Sequence, residues 1–281
     1  MSQGTSWEMR QGLPGEGRLG VIDAYRLGWR FLKKDFWQHW LLAFVCMLLL
    51  MASWFVPFGP FIAGPPLAAG FMYVLMQRID GRASGVGGLF EGFKQRFAQS
   101  IVSLLPVLIV WFVLTIIYLA AYFVLVFPIL MSAGPDHSPD MQKYLSVFIP
   151  FMVVANISGI VVSVFYLFFV FAPLAVWEYP QSGWEAAKAS VRMVRDRIWS
   201  VLGFGVLGWL IGWLFSLGII ACCIGIFFTA PISMLWFGSA LVYLYRSWTG
   251  RPLVQPRRAG GGPVTEGGPI PPTDIQPPAY S

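Results

Sequence analysis

The chain predicts an all-α membrane protein with six transmembrane helices, and three observations carry that prediction. Its 281 residues are 57% hydrophobic and 11% charged, where soluble domains run at roughly 45 to 50% apolar and about 25% charged. Asp, Glu, Lys and Arg are missing from four long blocks, 40–77, 97–135, 144–177 and 198–245. All of the 19 Lys and Arg residues except Lys143 fall in segments that an even number of spans places on one side.

The blocks give the elements in order. A spanning helix needs about 20 residues at about 1.5 Å each. Block 40–77 therefore holds two spans turning at Pro57-Phe58-Gly59-Pro60, and 198–245 holds two turning near Ala221-Cys222-Cys223-Ile224-Gly225. The apolar runs 101–131 and 145–177 are each too short for two spans and read as one long span, bracketed by Pro106 and Pro128 and by Pro150 and Pro173. Basic residues occupy 1–39, 78–96, 188–197 and the tail, so an N-in, C-in arrangement places them in the cytoplasm. The loop with Asp136, His137, Asp140 and Lys143 then lies outside. Three parts follow: a cytoplasmic N-terminus with an interfacial helix (1–39), a six-span domain (40–248) and a Pro/Gly-rich tail (249–281) expected to be disordered. No cleavable signal peptide is expected, and the first span serves as the targeting signal.

The segments before the spans share a design. In 22–37, Ile22, Tyr25, Trp29, Leu32 and Phe36 stack into one apolar stripe at helical spacing, flanked by Arg26, Arg30 and Lys33. An offset of 162 residues reproduces it as Trp184, Ala187, Val191, Val194 and Ile198, with Lys188, Arg192 and Arg195 beside them, and Trp37 and Trp199 also match. A degenerate third copy has Phe90, Phe93 and Phe97 as its stripe and Lys94 and Arg96 as its basic side. The chain thus divides into three parallel units, 22–77, 86–177 and 183–246, each a basic amphipathic helix followed by a helical hairpin. The apolar stripes are expected in the acyl boundary and the cations on anionic lipid phosphates; docking on the cytoplasmic ends of the bundle is the alternative.

Phe171-Ala172-Pro173-Leu174, Trp184-Glu185-Ala186-Ala187-Lys188 and Val191-Arg192-Met193-Val194-Arg195, with Gly64-Pro65-Pro66-Leu67-Ala68-Ala69-Gly70 in the first unit, carry a resemblance. Over 22–246 the chain resembles uncharacterised bacterial multi-pass proteins related to the membrane domain of some glycerophosphodiester phosphodiesterases. The resemblance implies the fold and a bacterial cytoplasmic membrane. It implies no catalytic role, because a soluble phosphodiesterase domain would need about 250 further residues.

Chemistry is sparse. The GxSxG, HExxH, Walker and dinucleotide patterns do not occur. The histidines are His39 and His137, and no proposed span carries a carboxylate, which disfavours a proton relay. Cys46, Cys222 and Cys223 lack metal or redox spacing and read as inert thiols. Asn156, Ser158 and Ser163 are the candidates for a polar site within the bundle, against the competing reading that Ala155, Gly159 and Ser163, like Gly208, Gly212 and Ser216, are close-packing ladders. Pro65, Pro66 and Pro231 are expected to break spans two and six, as in transporters. Neither a cofactor nor a metal is expected, and the basic pI points to anionic lipid rather than nucleic acid. The expected function is a non-enzymatic membrane protein that binds anionic phospholipid or a partner protein at its cytoplasmic rim through Arg26, Arg30, Lys33, Lys94, Arg96, Lys188, Arg192 and Arg195. The alternative is a permease for a small or lipidic molecule.

Overall fold

A computed structural model describes residues 19–131, 141–178, 182–216 and 225–250. Among these residues every regular element is helical. They are α1 (Val21–Lys34), α2 (Phe36–Ser53), α3 (Gly59–Ile79), a 3₁₀ turn (Val86–Phe90), α4 (Glu91–Ala121), which continues through a π turn (Tyr122–Val126) into α5 (Phe127–Met131), α6 (Met141–Leu167), α7 (Ala172–Glu178), α8 (Gly183–Asp196), α9 (Ile198–Ser216) and α10 (Gly225–Trp248). Six segments are long and apolar enough to cross a membrane: Phe36–Ser53, Gly59–Ile79, Val86–Leu125, Leu145–Glu178, Ile198–Phe215 and Phe227–Trp248. The chain is therefore an all-α, multi-pass membrane-type fold. Asp136, His137 and Asp140, expected in an outer loop, Cys222 and Cys223, expected at a turn, and the tail from 251 lie outside the described residues.

Three backbone kinks separate the basic segments from the spans they precede. Asp35 has φ −135° and ψ 57°, Arg96 φ −133° and ψ 24°, and Arg197 φ −137° and ψ 36°. Each kink interrupts the helical hydrogen-bond ladder for one residue and lets the following span leave at a new angle. Before the first and third kinks, α1 and α8 are both 14 residues long. They bury corresponding positions: Ala24, Tyr25, Gly28 and Leu32 in α1, and Ala186, Ala187, Ser190 and Val194 in α8, each pair 162 residues apart.

The pre-span segments tie the bundle into a closed ring. The turn before α4 packs on α3, α8 packs on α7, and α1 packs on α10. Small residues sit where backbones meet: a Cβ on Gly70 would collide with the Leu89 carbonyl, one on Gly92 with that of Pro66, and one on Gly183 with that of Gln99. Gly28 fits against Ser239 and Ala240 of α10, while the Trp236 indole N–H donates to the Tyr25 carbonyl at 2.7 Å. On the ring axis α3, α7 with the turn before it, and α10 fill the space with Phe71, Leu75, Phe171, Leu174, Leu241 and Tyr245, all buried. Lipid tails are as apolar as these side chains, so their association gains from close packing rather than from removal of water.

Two expectations about helix breaks are corrected. Pro65 and Pro66 lie inside a continuous α3, and Pro231 inside a continuous α10. A proline costs one hydrogen bond per site, and a membrane helix tolerates this where neighbours and local adjustments re-satisfy the backbone. The break falls instead in the fourth span, at Phe168–Phe171, inside the single long span expected there. Pro173 there opens α7, since a proline in the first turn forfeits no intrahelical donor. Ser190 of α8 closes the gap: its Oγ donates to the Phe168 carbonyl at 2.8 Å and accepts from the Phe171 N–H at 3.3 Å.

Candidate functional site

The cations cluster where α1, α8 and the start of α4 meet the spans. Because α1 and α8 turn their small and apolar faces inward, Arg26, Arg30 and Lys33 and the matching Lys188, Arg192 and Arg195 all end up exposed. Ile22 and Trp184 precede the two triplets and Trp37 and Trp199 follow them, again all exposed. Each outer face is thus three cations between two apolar ends. Lys94 is exposed too, whereas Arg96 is half-buried at its kink, with its guanidinium 5.8 Å from the centre of the Trp177 ring.

The ion pairs on these faces are local. Arg26 meets Asp23 at 3.1 Å, Lys94 meets Glu91 at 3.6 Å and Arg195 meets Asp196 at 3.7 Å. Exposed pairs of this kind contribute about 0 to 1 kcal/mol and leave the cation available to a stronger anion. Arg30, Lys188 and Arg192 have no ion pair among the described residues. Lys33 lies 5.3 Å from the centre of the Trp29 ring.

The inward face corrects the expectation of a lipid-facing stripe. Tyr25, Leu32, Ala187 and Val194 are buried in protein, Trp29 and Val191 half-buried, and only Ile22 and Trp184 of the two helical stripes stay exposed. The Tyr25 hydroxyl donates to the Phe204 carbonyl at 3.0 Å and its ring stacks on Phe204 at 4.9 Å. Burial pushes the Tyr25 phenol above its ordinary value. An aromatic stripe buries in protein as readily as in lipid, and the glycine at position 28 allows α1 to approach closely enough to do so.

Beneath the exposed cations lies a charge pair that spacing did not reveal. The Arg246 side chain is 8% exposed and forms a bidentate pair with Asp80, itself 31% exposed. Arg246 Nη2 donates to Asp80 Oδ2 at 2.8 Å and to the Met76 carbonyl at 3.2 Å, and Nη1 donates to Asp80 Oδ1. Beside it Arg78 donates from Nε to the Ser84 carbonyl at 2.9 Å and from Nη1 to the Gln38 carbonyl at 3.1 Å. His39 is buried next to the Phe31 ring, 4.2 Å away. These groups join the ends of α2, α3 and α10 as a staple.

The expected polar site inside the bundle does not assemble. Asn156 is exposed and donates from Nδ2 to the Met152 carbonyl of its own helix at 2.8 Å. Ser163 turns back to the Gly159 carbonyl at 2.8 Å, and Ser158 is half-buried apart from both. The groove there, lined by Phe148, Met152, Asn156 and Ile160, runs along the outside of α6. Cys46 is a free thiol buried in the bundle. Among the described residues no three of His, Cys, Asp and Glu come together as metal ligands. No family model, curated protein or solved structure matches the chain.

Proposed function

We propose that the chain is a non-enzymatic protein of the bacterial cytoplasmic membrane, N-in and C-in, that gathers anionic phospholipid around its basic rim. The observation that carries this reading is the position-by-position match of the exposed faces of α1 and α8. Three cations stand between apolar ends on each, with an indole at the start of the next span, where Trp favours the membrane interface. A repeated surface with the same three charges presents the same ligand chemistry twice. We read the match as duplication, with three related units closed head to tail, in keeping with the resemblance to bacterial multi-pass proteins. The filled axis between α3, α7 and α10 favours this role over a permease.

Each basic residue near an anionic leaflet contributes about 1 kcal/mol at low salt. Replacing Lys188, Arg192 and Arg195 together by Gln is expected to weaken retention of phosphatidylglycerol by more than tenfold, with an unchanged melting curve, since all three side chains are exposed. The Arg26, Arg30 and Lys33 triple is expected to act alike. Native mass spectrometry of lipid adducts reads both. Unchanged adducts in both triples would remove the lipid reading and leave a protein partner as the occupant of the rim.

A further inference from the structure

The apolar lengths of this molecule do not match one another. Starting from the basic end, α2 has 18 residues, about 27 Å of helix. From Phe97, just past the Arg96 kink, the helix through α4 and α5 runs without a charge to Met131, 35 residues or about 52 Å. Aromatic contacts fix the level at which the shorter pair stops. Trp54 of the α2–α3 turn lies 5.9 Å from Trp111, Phe61 lies 4.5 Å from Trp111, and Phe58 lies 6.3 Å from Phe112, ring centre to ring centre. Phe97 to Phe112 is 16 residues of the 35, so the turn sits near the halfway point of the long helix.

A hydrocarbon core is about 30 Å thick, and a bilayer with its headgroup regions about 40 to 45 Å. At a tilt of about 40°, the upper end of the usual range, the long helix covers about 40 Å. The turn then lies about 18 Å from the basic end. The fraction is the same at any tilt the two share.

The turn is made for such a place. Trp54-Phe55-Val56-Pro57-Phe58 carries no charged side chain, and Phe55 is 89% exposed. Irregular backbone in lipid is tolerated only where its polar groups are satisfied. Pro57 and Pro60 have no N–H to satisfy, and those of Trp54, Phe55, Val56, Gly59, Phe61 and Ile62 donate to backbone carbonyls from Met51 to Phe58. In this stretch the Phe58 N–H and the carbonyls of Trp54, Phe55 and Pro57 lack a backbone partner among the described residues. The connection after α5 is of the opposite kind, with Asp136, His137, Asp140 and Lys143.

We propose that the α2–α3 turn ends inside the hydrocarbon near the bilayer midplane, covered by acyl chains, while the α4–α6 pair reaches the far surface. Both helices of the shorter pair are long enough to cross, but their level against α4 holds them in one leaflet. The α2–α3 pair is then confined to the basic leaflet, while the α4–α6 pair continues through the far one. The inference stands apart from what the cations bind, and an N-in, C-in arrangement holds whether or not the turn crosses.

Single cysteines at Phe55, Val56 and Ser138, in a chain with Cys46, Cys222 and Cys223 replaced by Ala, test it with a membrane-impermeant maleimide in right-side-out and inverted vesicles. Ser138→Cys is expected to react from one side, and Phe55→Cys and Val56→Cys at least tenfold more slowly from both sides, with full labelling after denaturation. Labelling of either turn position from either side at the Ser138→Cys rate overturns the proposal. Phe55→Asp in the otherwise unaltered chain covers the case in which the cysteine-free background does not fold. A turn in hydrocarbon loses folded protein, and an unchanged melting curve and yield overturn the proposal.

Discussion

Helix α10 and the long helix that begins with α4 are both apolar, yet they live in different surroundings. An 18-residue apolar stretch of α10 has mean hydropathy 1.5 with 56% of it buried inside the protein, while one in Val86–Leu125 has mean hydropathy 2.7 with 22% buried. The more hydrophobic helix is the more exposed one, the reverse of the rule for soluble proteins. Lipid accepts any apolar surface, so a helix facing it needs only favourable transfer. A helix packed among others needs small side chains at crossings and polar groups that find partners, and each of these lowers its hydropathy. Helix α10 supplies Gly238, Ser239 and Arg246 for these purposes, and α3 supplies Gly70.

The sharpest way to break that contrast is to fill a crossing. A side chain at Gly92 would run into the Pro66 carbonyl of α3, and that oxygen belongs to backbone that cannot swing aside. Gly92→Leu is therefore expected to destabilise by about 3 kcal/mol or more, the upper range for overpacking, and to leave little folded protein in detergent. A melting curve close to the parent's would show that α3 and α4 do not cross there.

The next largest effect belongs to the Arg246–Asp80 pair. Removing one partner of a buried pair typically costs about 3 to 5 kcal/mol, and replacing both by apolar groups is often neutral. Asp80 retains some solvent contact, so about 2 to 3 kcal/mol is expected for Asp80→Leu or Arg246→Met alone. The double variant should recover most of the loss. Additive losses in the double-variant melting curve would mean the two side chains act independently and do not join α3 to α10.

The sequence made the spans legible because charge is expensive in lipid, and a gap in Asp, Glu, Lys and Arg can be read directly. It also exposed the 162-residue match between the basic segments, whose helix ends and kinks at Asp35 and Arg197 fall in the same register. Which face turned inward was not legible, because Tyr25 and Trp29 suit lipid and protein equally; Gly28 against α10 decides it. Prolines misled for a related reason. Pro65, Pro66 and Pro231 stay within helices, while Pro173 starts one, and the hydroxyl that closes the gap at Phe168–Phe171 comes from Ser190, in a different helix. The Arg246–Asp80 pair joins residues 166 apart, and neither lies in a motif.

The smallest effect gives the finest test, because it compares glycines on one helix. The small-residue ladders in α6 and α9 were expected to bring helices together, but a Cβ at Gly159 or Gly212 meets nothing within 4 Å. At Gly208, one turn from Gly212, the added Cβ would stand 2.7 Å from the Tyr25 hydroxyl and 2.8 Å from the Phe237 ring. Gly208→Leu should thus destabilise by about 1 to 3 kcal/mol. Gly212→Leu and Gly159→Leu should stay within about 0.5 kcal/mol, as for substitutions away from packed features, and the better helix former offsets part of any loss. The comparison is made in one detergent by melting each variant beside the parent. A loss at Gly212→Leu equal to that at Gly208→Leu would mean that the outer face of α9 is packed, and that apolar exposure on this molecule does not report contact with lipid.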